Sequence, residues 1–127
     1  MFSKPSVLIV ERSAETREVL RTALEQDGIE IWEATRADRG LELVRQHHPQ
    51  VIVLEVEIAD RASDEVRAGF HSTEAQTIPI VLLGAAGPVT RNFPNGLYVA
   101  KPYHYGPLIR KIEGLLDEAR PPRTKIA

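Results

Sequence analysis

Short apolar runs alternate along this chain with segments of helical periodicity, a rhythm that predicts an α/β fold on a parallel sheet. Three observations carry the prediction. Val7–Val10, Val51–Leu54 and Ile78–Leu83 are runs of strand length dominated by apolar residues. Runs of this kind fit strands covered on both faces, as parallel sheets require. The intervening segments place apolar residues three and four apart, and the alternation of the two patterns is that of repeated βαβ units.

The elements follow in order. Val7 to Val10 forms the first strand, and Ser13 is a good N-cap for the helix that follows. Glu15 and Glu18 suit the positive end of that helix, and Val19, Leu20, Ala23 and Leu24 recur at its spacing before Gly28 supplies the stop. Ile29 to Ala34 reads as a strand with Ile29 and Ile31 on one face and Trp32 on the other. Thr35 can cap a helix containing Ala37, Leu41 and Val44, which ends before Pro49. Val51 to Leu54 is a fully buried strand, followed by a weaker helix around Ala62 to His71 with Val66 and Phe70 on one face. Ile78 to Leu83 is a further buried strand that admits Pro79 only near its start. Between Leu83 and Leu97, Gly87, Pro88, Pro94 and Gly96 are poor helix material, so a loop or at most one turn is expected. Leu97 to Ala100 is the last strand. Gly106-Pro107 opens a last helix with Leu108, Ile109, Ile112, Leu115 and Leu116 as its stripe.

Composition bounds the function. A chain of this length is one domain, and 43% hydrophobic with 27% charged residues is ordinary for a globular protein. The absence of cysteine removes disulfides, thiolate metal sites and a cysteine nucleophile. A net charge of -2 gives no basis for general nucleic-acid affinity. No apolar run reaches signal-peptide or membrane-span length, so a soluble, cytoplasmic domain without membrane contact is expected. Residues 1–60 carry 7 basic and 12 acidic side chains, and residues 61–127 carry 9 and 6. Residues 119–127 read as a basic, proline-containing tail or linker after a domain spanning 6–118.

Ligands of open parallel sheets sit beyond the carboxyl ends of the strands. Glu11, Glu55 and Lys101 stand at or just past three such ends, and Gly84 ends a fourth. With Leu8-Ile-Val-Glu-Arg12, Pro49-Gln-Val-Ile-Val-Leu-Glu55, Pro79-Ile-Val-Leu-Leu-Gly84 and Leu97-Tyr-Val-Ala-Lys-Pro102 in this order and spacing, the chain resembles the receiver domain of bacterial two-component response regulators, from about Ser6 to Glu118. The resemblance implies a three-layer, doubly wound, five-stranded parallel sheet of order 2-1-3-4-5 (flavodoxin-like). The helix that the family places between its fourth and fifth strands is expected to be shortened or missing here. It also implies a phosphoacceptor Asp at the end of the third strand, two acidic residues after the first that help hold Mg²⁺, a Thr or Ser after the fourth, and a Lys after the fifth. The Lys101-Pro102 bond is expected to be cis on the same ground.

Residue by residue, the chain departs from that chemistry. The acceptor position is Glu55, the second acidic position is Arg12, and the hydroxyl position is Gly84. Ile58-Ala59 replaces the usual Met-Pro, while Lys101 is retained and Tyr98 matches the aromatic switch position. Glu11, Glu55, Arg12 and Lys101 sum to zero charge, so the pocket neutralises itself, and an arginine beside the carboxylates opposes a cation. Glu11 and Glu55 are thus only weak metal candidates, and Mg²⁺ is expected to be weak or absent. Arg12 or Lys101 is expected to pair with Glu55. The extra methylene of Glu55 also pushes its carboxylate toward where an aspartyl phosphate would carry charge.

The main expectation is a degenerate receiver that is not phosphorylated at the usual position and works as a protein-interaction module, not an enzyme. Its partner would be another protein or a fused output domain, with a histidine kinase the lesser expectation. One alternative is a phosphorylatable receiver with an atypical pocket, for which Asp60 is the nearest other carboxylate. Another is a small-molecule binder or enzyme using Glu11 and Glu55 as an acid/base pair. The neighbouring cations argue against it, since they favour charged carboxylates over the raised pKa of a general acid. Tyr98, Tyr103 and Tyr105 mark a candidate switch or partner surface. His47-His48 suits a helix C-terminus, His71 and His104 are isolated, and Trp32 is expected to pack half-exposed against a helix.

Overall fold

Apolar residues at both parities of a strand can be buried only between two layers of helix, and this sequence is arranged so. The computed structural model describes residues 4–75, 78–85, 93 and 96–119. The elements are β1 (Ser6–Val10), α1 (Ala14–Gln26), β2 (Glu30–Ala34), α2 (Ala37–His47), β3 (Val51–Glu55), α3 (Val56–Arg61), α4 (Asp64–Ala75), β4 (Ile80–Leu83), β5 (Leu97–Val99) and α5 (Tyr105–Ala119). The strands form one parallel sheet of order β2-β1-β3-β4-β5. The order reverses at β1, which lies between β2 and β3. The carboxyl ends of β1 and β3 are therefore neighbours.

The two-residue alternation sorts the strand side chains between the faces. Leu8, Val10, Ile52, Leu54, Ile80 and Leu82 pack with Leu41, Val44 and Phe70 of α2 and α4. Val7, Ile9, Val51, Val53, Val81 and Leu83 pack with Leu20 and Leu24 of α1 and with Leu108, Ile112 and Leu116 of α5. Ile31 and Trp32 of β2 go to opposite faces, as alternation predicts. Trp32 is half-buried and stacks on His47 of α2, with ring centroids 4.3 Å apart and planes 12° from parallel.

Ser13 caps α1 by accepting the Thr16 N–H at 3.2 Å, and the helix ends two residues before Gly28. Thr35 does not cap α2. The N-cap is Arg36, in extended conformation and without a side-chain hydrogen bond, so the helix begins one residue later and Ala37 enters the core. The helix expected around Ala62 to His71 is α4, with different bounds and with Ser63 accepting the Val66 N–H at 3.1 Å. The sequence reading missed α3. Six residues are too few to display helical periodicity, yet Val56, Ile58 and Ala59 are buried by direct continuation from β3. The last helix begins at Tyr105, which keeps Pro107 in the first turn.

Between β4 and β5, the described residues Gly84, Ala85, Phe93 and Gly96 are not helical, and Phe93 is buried in the α2/α4 core. The rest of that expectation, and the tail beyond Ala119, lie outside the described residues. Among the described residues no helix is long and apolar enough to cross a membrane.

Gly40 shows how tightly α2 meets the sheet. Glycine inside a helix costs about 1 kcal/mol relative to alanine, but here a Cβ would lie 2.7 Å from Val10 Cγ2 and 3.4 Å from Phe70 Cζ. A valine methyl in a packed core cannot swing aside. Gly40→Ala is therefore expected to lower stability by about 1–2 kcal/mol despite its better propensity, because overpacking outweighs the helix gain. Urea unfolding of the two proteins measures the difference.

Candidate functional site

Glu11 follows β1 and Glu55 ends β3, so the parallel pairing of Val7–Val10 with Val51–Leu54 sets the two carboxylates side by side. Both are buried, at 1% and 2% exposure. A carboxylate removed from water needs a cation, a proton or several N–H donors. Arg12 supplies two of the three. Its backbone N–H donates to Glu11 Oε2 at 2.8 Å and to Glu55 Oε1 at 3.1 Å. Its guanidinium forms a fork on Glu55, Nε to Oε1 at 3.2 Å and Nη2 to Oε2 at 3.0 Å. Bidentate pairing of this kind fixes geometry as well as charge. Lys101 Nζ stands 3.9 Å from Glu55 Oε2. Arg12 is the cation in direct contact and Lys101 the outer one.

The sequence reading missed two further participants. Glu57, in the first turn of α3, takes a second bond from Arg12 Nη2. Its signal was hidden with α3 itself, since only a helix directly after Glu55 returns residue 57 to the rim. Counting Glu57, five groups replace the four of the sequence-level charge sum, and Arg12 bridges two carboxylates. Arg17 Nη1 donates to the carbonyls of Glu11 at 2.7 Å and Arg12 at 3.0 Å, tying the turn after β1 to α1.

The two buried carboxyls are pushed in opposite directions. Burial raises Glu11 from the usual 4.5 to about 7, assisted by its hydrogen bond to Glu55 and the negative charge there. Burial also acts to raise Glu55, but hydrogen bonds from Glu11 and Arg12 and the charge of Arg12 outweigh it and bring the carboxyl down to about 2. The expectation that neighbouring cations lower both carboxylates thus holds for Glu55 and fails for Glu11. The guanidinium fork is on Glu55, and Glu11 faces the resulting negative charge.

Gly84 takes φ +138°, a region that side-chain-bearing residues avoid, and a Cβ there would lie 3.3 Å from Val56 Cβ. The backbone itself therefore disfavours a hydroxyl residue at this position. The Gly84 N–H donates to the Val99 carbonyl at 3.1 Å, and the Tyr98 hydroxyl donates to the Gly84 carbonyl. Tyr103 and Tyr105 meet edge to face with centroids 6.0 Å apart, beside Lys101. Tyr105 Oη lies 3.1 Å from Thr16 Oγ1. Tyr98 thus serves β4, whereas Tyr103 and Tyr105 serve the junction of α1 and α5. The Lys101-Pro102 bond is cis, as the resemblance implied. Asp60 lies exposed on α3.

These residues do not fit a divalent ion. Both oxygens of Glu55 are already engaged by the Arg12 guanidinium, and Glu11 accepts the Arg12 N–H. Among the described residues there is no group of three acidic or histidine side chains able to hold a metal. Hard cations such as Mg²⁺ need several free oxygen ligands.

The opposed shifts set a pH dependence. Glu11, raised to about 7, holds a proton in the fold that the unfolded chain releases near 4.5, so stability from this group falls as pH rises from 4.5 to 7. Glu55, lowered to about 2, contributes stability above pH 4.5 that is lost as pH falls toward 2. Their joint contribution peaks near pH 4.5, where the pair holds one proton. Glu11→Gln keeps a hydrogen-bond donor without the charge. It is expected to flatten the loss of stability above pH 4.5 and to exceed the wild type at pH 8 by on the order of 1–3 kcal/mol. Thermal melts of both proteins across pH 4 to 8 check the shape as well as the size.

With the geometry in hand, known proteins give a consistent placement. The sequence model of the response regulator receiver domain matches residues 7–113. The KDP operon transcriptional regulatory protein KdpE of Escherichia coli (strain K12) is 35% identical over 80 residues, covering 63% of this chain and 35% of that protein. The transcriptional regulatory protein SrrA of Staphylococcus aureus is 26% identical over 115 residues, covering 87% of this chain and 47% of that protein. The chain spans less than half the length of either relative. Among solved structures, a two-component response regulator from Clostridium difficile superposes with TM-score 0.76 at 21% identity, covering 93% of this chain and all of that one. The receiver domain of Francisella response regulator 1452 gives TM-score 0.72 at 20% identity, covering 91% and 99%. These two likenesses concern the fold, and the sequence match extends from β1 into α5. By that match, the five-stranded order and the placement of Glu11, Glu55, Gly84 and Lys101 at the strand ends, this chain belongs to the receiver domain family of two-component response regulators.

Proposed function

We propose that this domain is a receiver whose phosphorelay chemistry has been replaced by a fixed ion pair, and that it acts as a protein-interaction module rather than as an enzyme. The observation that carries the reading is the Arg12 fork on Glu55. Phosphoryl transfer to a carboxylate needs a free nucleophilic oxygen and positive charge to neutralise the incoming group. At Glu55 both oxygens are engaged, and the available guanidinium is spent on the carboxylate itself and on Glu57. Gly84 adds no hydroxyl to respond to a phosphoryl group, and its backbone favours none. A receiver built this way holds one arrangement of the rim and presents it to a protein partner or a fused output domain in the cytoplasm. The surface offered near the retained lysine is the Tyr103–Tyr105 pair beside Lys101. The greater length of the curated relatives supports an output segment beyond this match.

An acid/base reading of Glu11 and Glu55 draws on their separated pKa values. Both carboxyls are buried, at 1% and 2% exposure, which leaves them little access to a substrate. The cavity beside Arg12 and the cleft beside Lys101 are lined by neither carboxylate.

The test is intact-mass measurement after incubation with acetyl phosphate and millimolar Mg²⁺. The expected result is no stoichiometric gain of a phosphoryl group, in the wild type or in Asp60→Ala. A full gain abolished by Glu55→Gln would overturn the reading of the pocket. A gain abolished by Asp60→Ala would establish an atypical receiver instead.

A further inference from the structure

A cavity of about 450 Å³ lies beside the rim, on the side of the sheet covered by α2, α3 and α4. That size is within the usual range for a small-molecule site. Its lining divides by chemistry. Ile58, Ala62 and Val66 give it an apolar wall where α3 ends and α4 begins. Three arginines from three different parts of the chain converge on it: Arg12 after β1, Arg36 before α2 and Arg61 at the end of α3. Against these three cations the lining contains one carboxylate, Asp38.

Each guanidinium is available to a competing anion to a different degree. Arg61 has no side-chain ion pair among the described residues. Arg36 forks onto Asp38, Nε to Oδ1 at 3.1 Å and Nη2 to Oδ2 at 3.0 Å, but the two side chains are 76% and 53% exposed, so water screens the pair. Arg12 also lines the cavity, but its guanidinium is committed to Glu55 and Glu57. The start of α2 lines the same cavity and opens at Arg36 without a side-chain cap, although the Asp38 carboxylate in its first turn already accepts the Arg39 N–H at 2.9 Å.

We infer that this cavity is a binding site for a small organic phosphate, with the phosphoryl group held by Arg36 and Arg61 on the side that Arg12 lines and an apolar or aromatic body against Ile58, Ala62 and Val66. Two exposed guanidinium forks with a third cation alongside suit the three outer oxygens of a phosphoryl group better than the two of a carboxylate. The apolar wall distinguishes an organic phosphate from inorganic phosphate. Because Arg12 both lines the cavity and binds Glu55, a negative charge in the cavity lies beside the residue that neutralises Glu55. A ligand there would thus reach the rim without any covalent step. The site stands apart from the question of phosphorylation, since it requires only the cavity and its arginines.

The experiment is a nitrogen–proton correlation NMR titration of the whole chain with phenyl phosphate, with inorganic phosphate and benzoate as comparison ligands. Phenyl phosphate is expected to give saturable shifts at the amides of Arg36–Arg39 and Ser63–Arg67, with inorganic phosphate and benzoate each at least about tenfold weaker. Arg61→Gln and Arg36→Gln are exposed substitutions, and each is expected to weaken phenyl phosphate about tenfold. Shifts centred on Gly84 and Lys101, unchanged affinity in both variants, or no saturation would overturn the site. Benzoate binding as tightly as phenyl phosphate would overturn the assignment to phosphate, and equal binding of inorganic phosphate would overturn the role of the apolar wall.

Discussion

A carboxylate that ends a central strand of a parallel sheet is surrounded by protein, and its charge has to be met there. In this domain the requirement falls on Glu55, and the answer is the guanidinium of Arg12. The neighbouring Glu11 is met differently. Burial, with the negative charge of Glu55 beside it, pushes Glu11 up to about 7, so below that pH a proton does for Glu11 what Arg12 does for Glu55. The rim thus meets its charge from within, by Arg12 on Glu55 and Glu57, Lys101 beside Glu55 and the proton on Glu11.

Other features of the site conform to that balance. The left-handed backbone at Gly84 leaves the end of β4 without a side chain, and its carbonyl is taken by the Tyr98 hydroxyl. Glu57 gives Arg12 a second acceptor, so the fork is held from α3 as well as from β3. Arg17 holds the turn that carries Glu11 and Arg12. A switch needs two arrangements of comparable free energy and a charge change to choose between them. Here the charge is built in and anchored from several elements, which favours one arrangement. The cavity lined by Arg12, Arg36 and Arg61 is where an outside charge could still compete for the guanidinium.

Much of this was legible without coordinates. The runs at Val7, Val51 and Ile80 are apolar at both parities, and only a sheet covered on both faces accommodates that, so the fold class followed from periodicity. Ser13 followed from capping chemistry, and a cation on Glu55 from charge balance at the strand ends, with Arg12 and Lys101 both candidates until the structure put Arg12 in direct contact. The strand order did not follow from periodicity and came through family resemblance. Thr35 was misplaced as a cap because several polar residues can start a helix, and the fit of Ala37 into the core selects which one does. The hexapeptide helix α3 was invisible because its three buried residues come from adjacency to β3, not from a repeating stripe.

The sequence by itself determined which groups would be present at the rim: two glutamates, an arginine where the family resemblance implies an acid, a lysine and a glycine. Tertiary structure alone decided how they divide the charge. Protonation depends on burial and on distances of a few ångströms between residues 43 positions apart in the chain, and linear spacing contains neither. Composition therefore gave the identity of four groups at the rim, but not that Glu11 and Glu55 titrate in opposite directions, which changes their charge sum from zero once Glu11 takes a proton, nor that Glu57 joins the set.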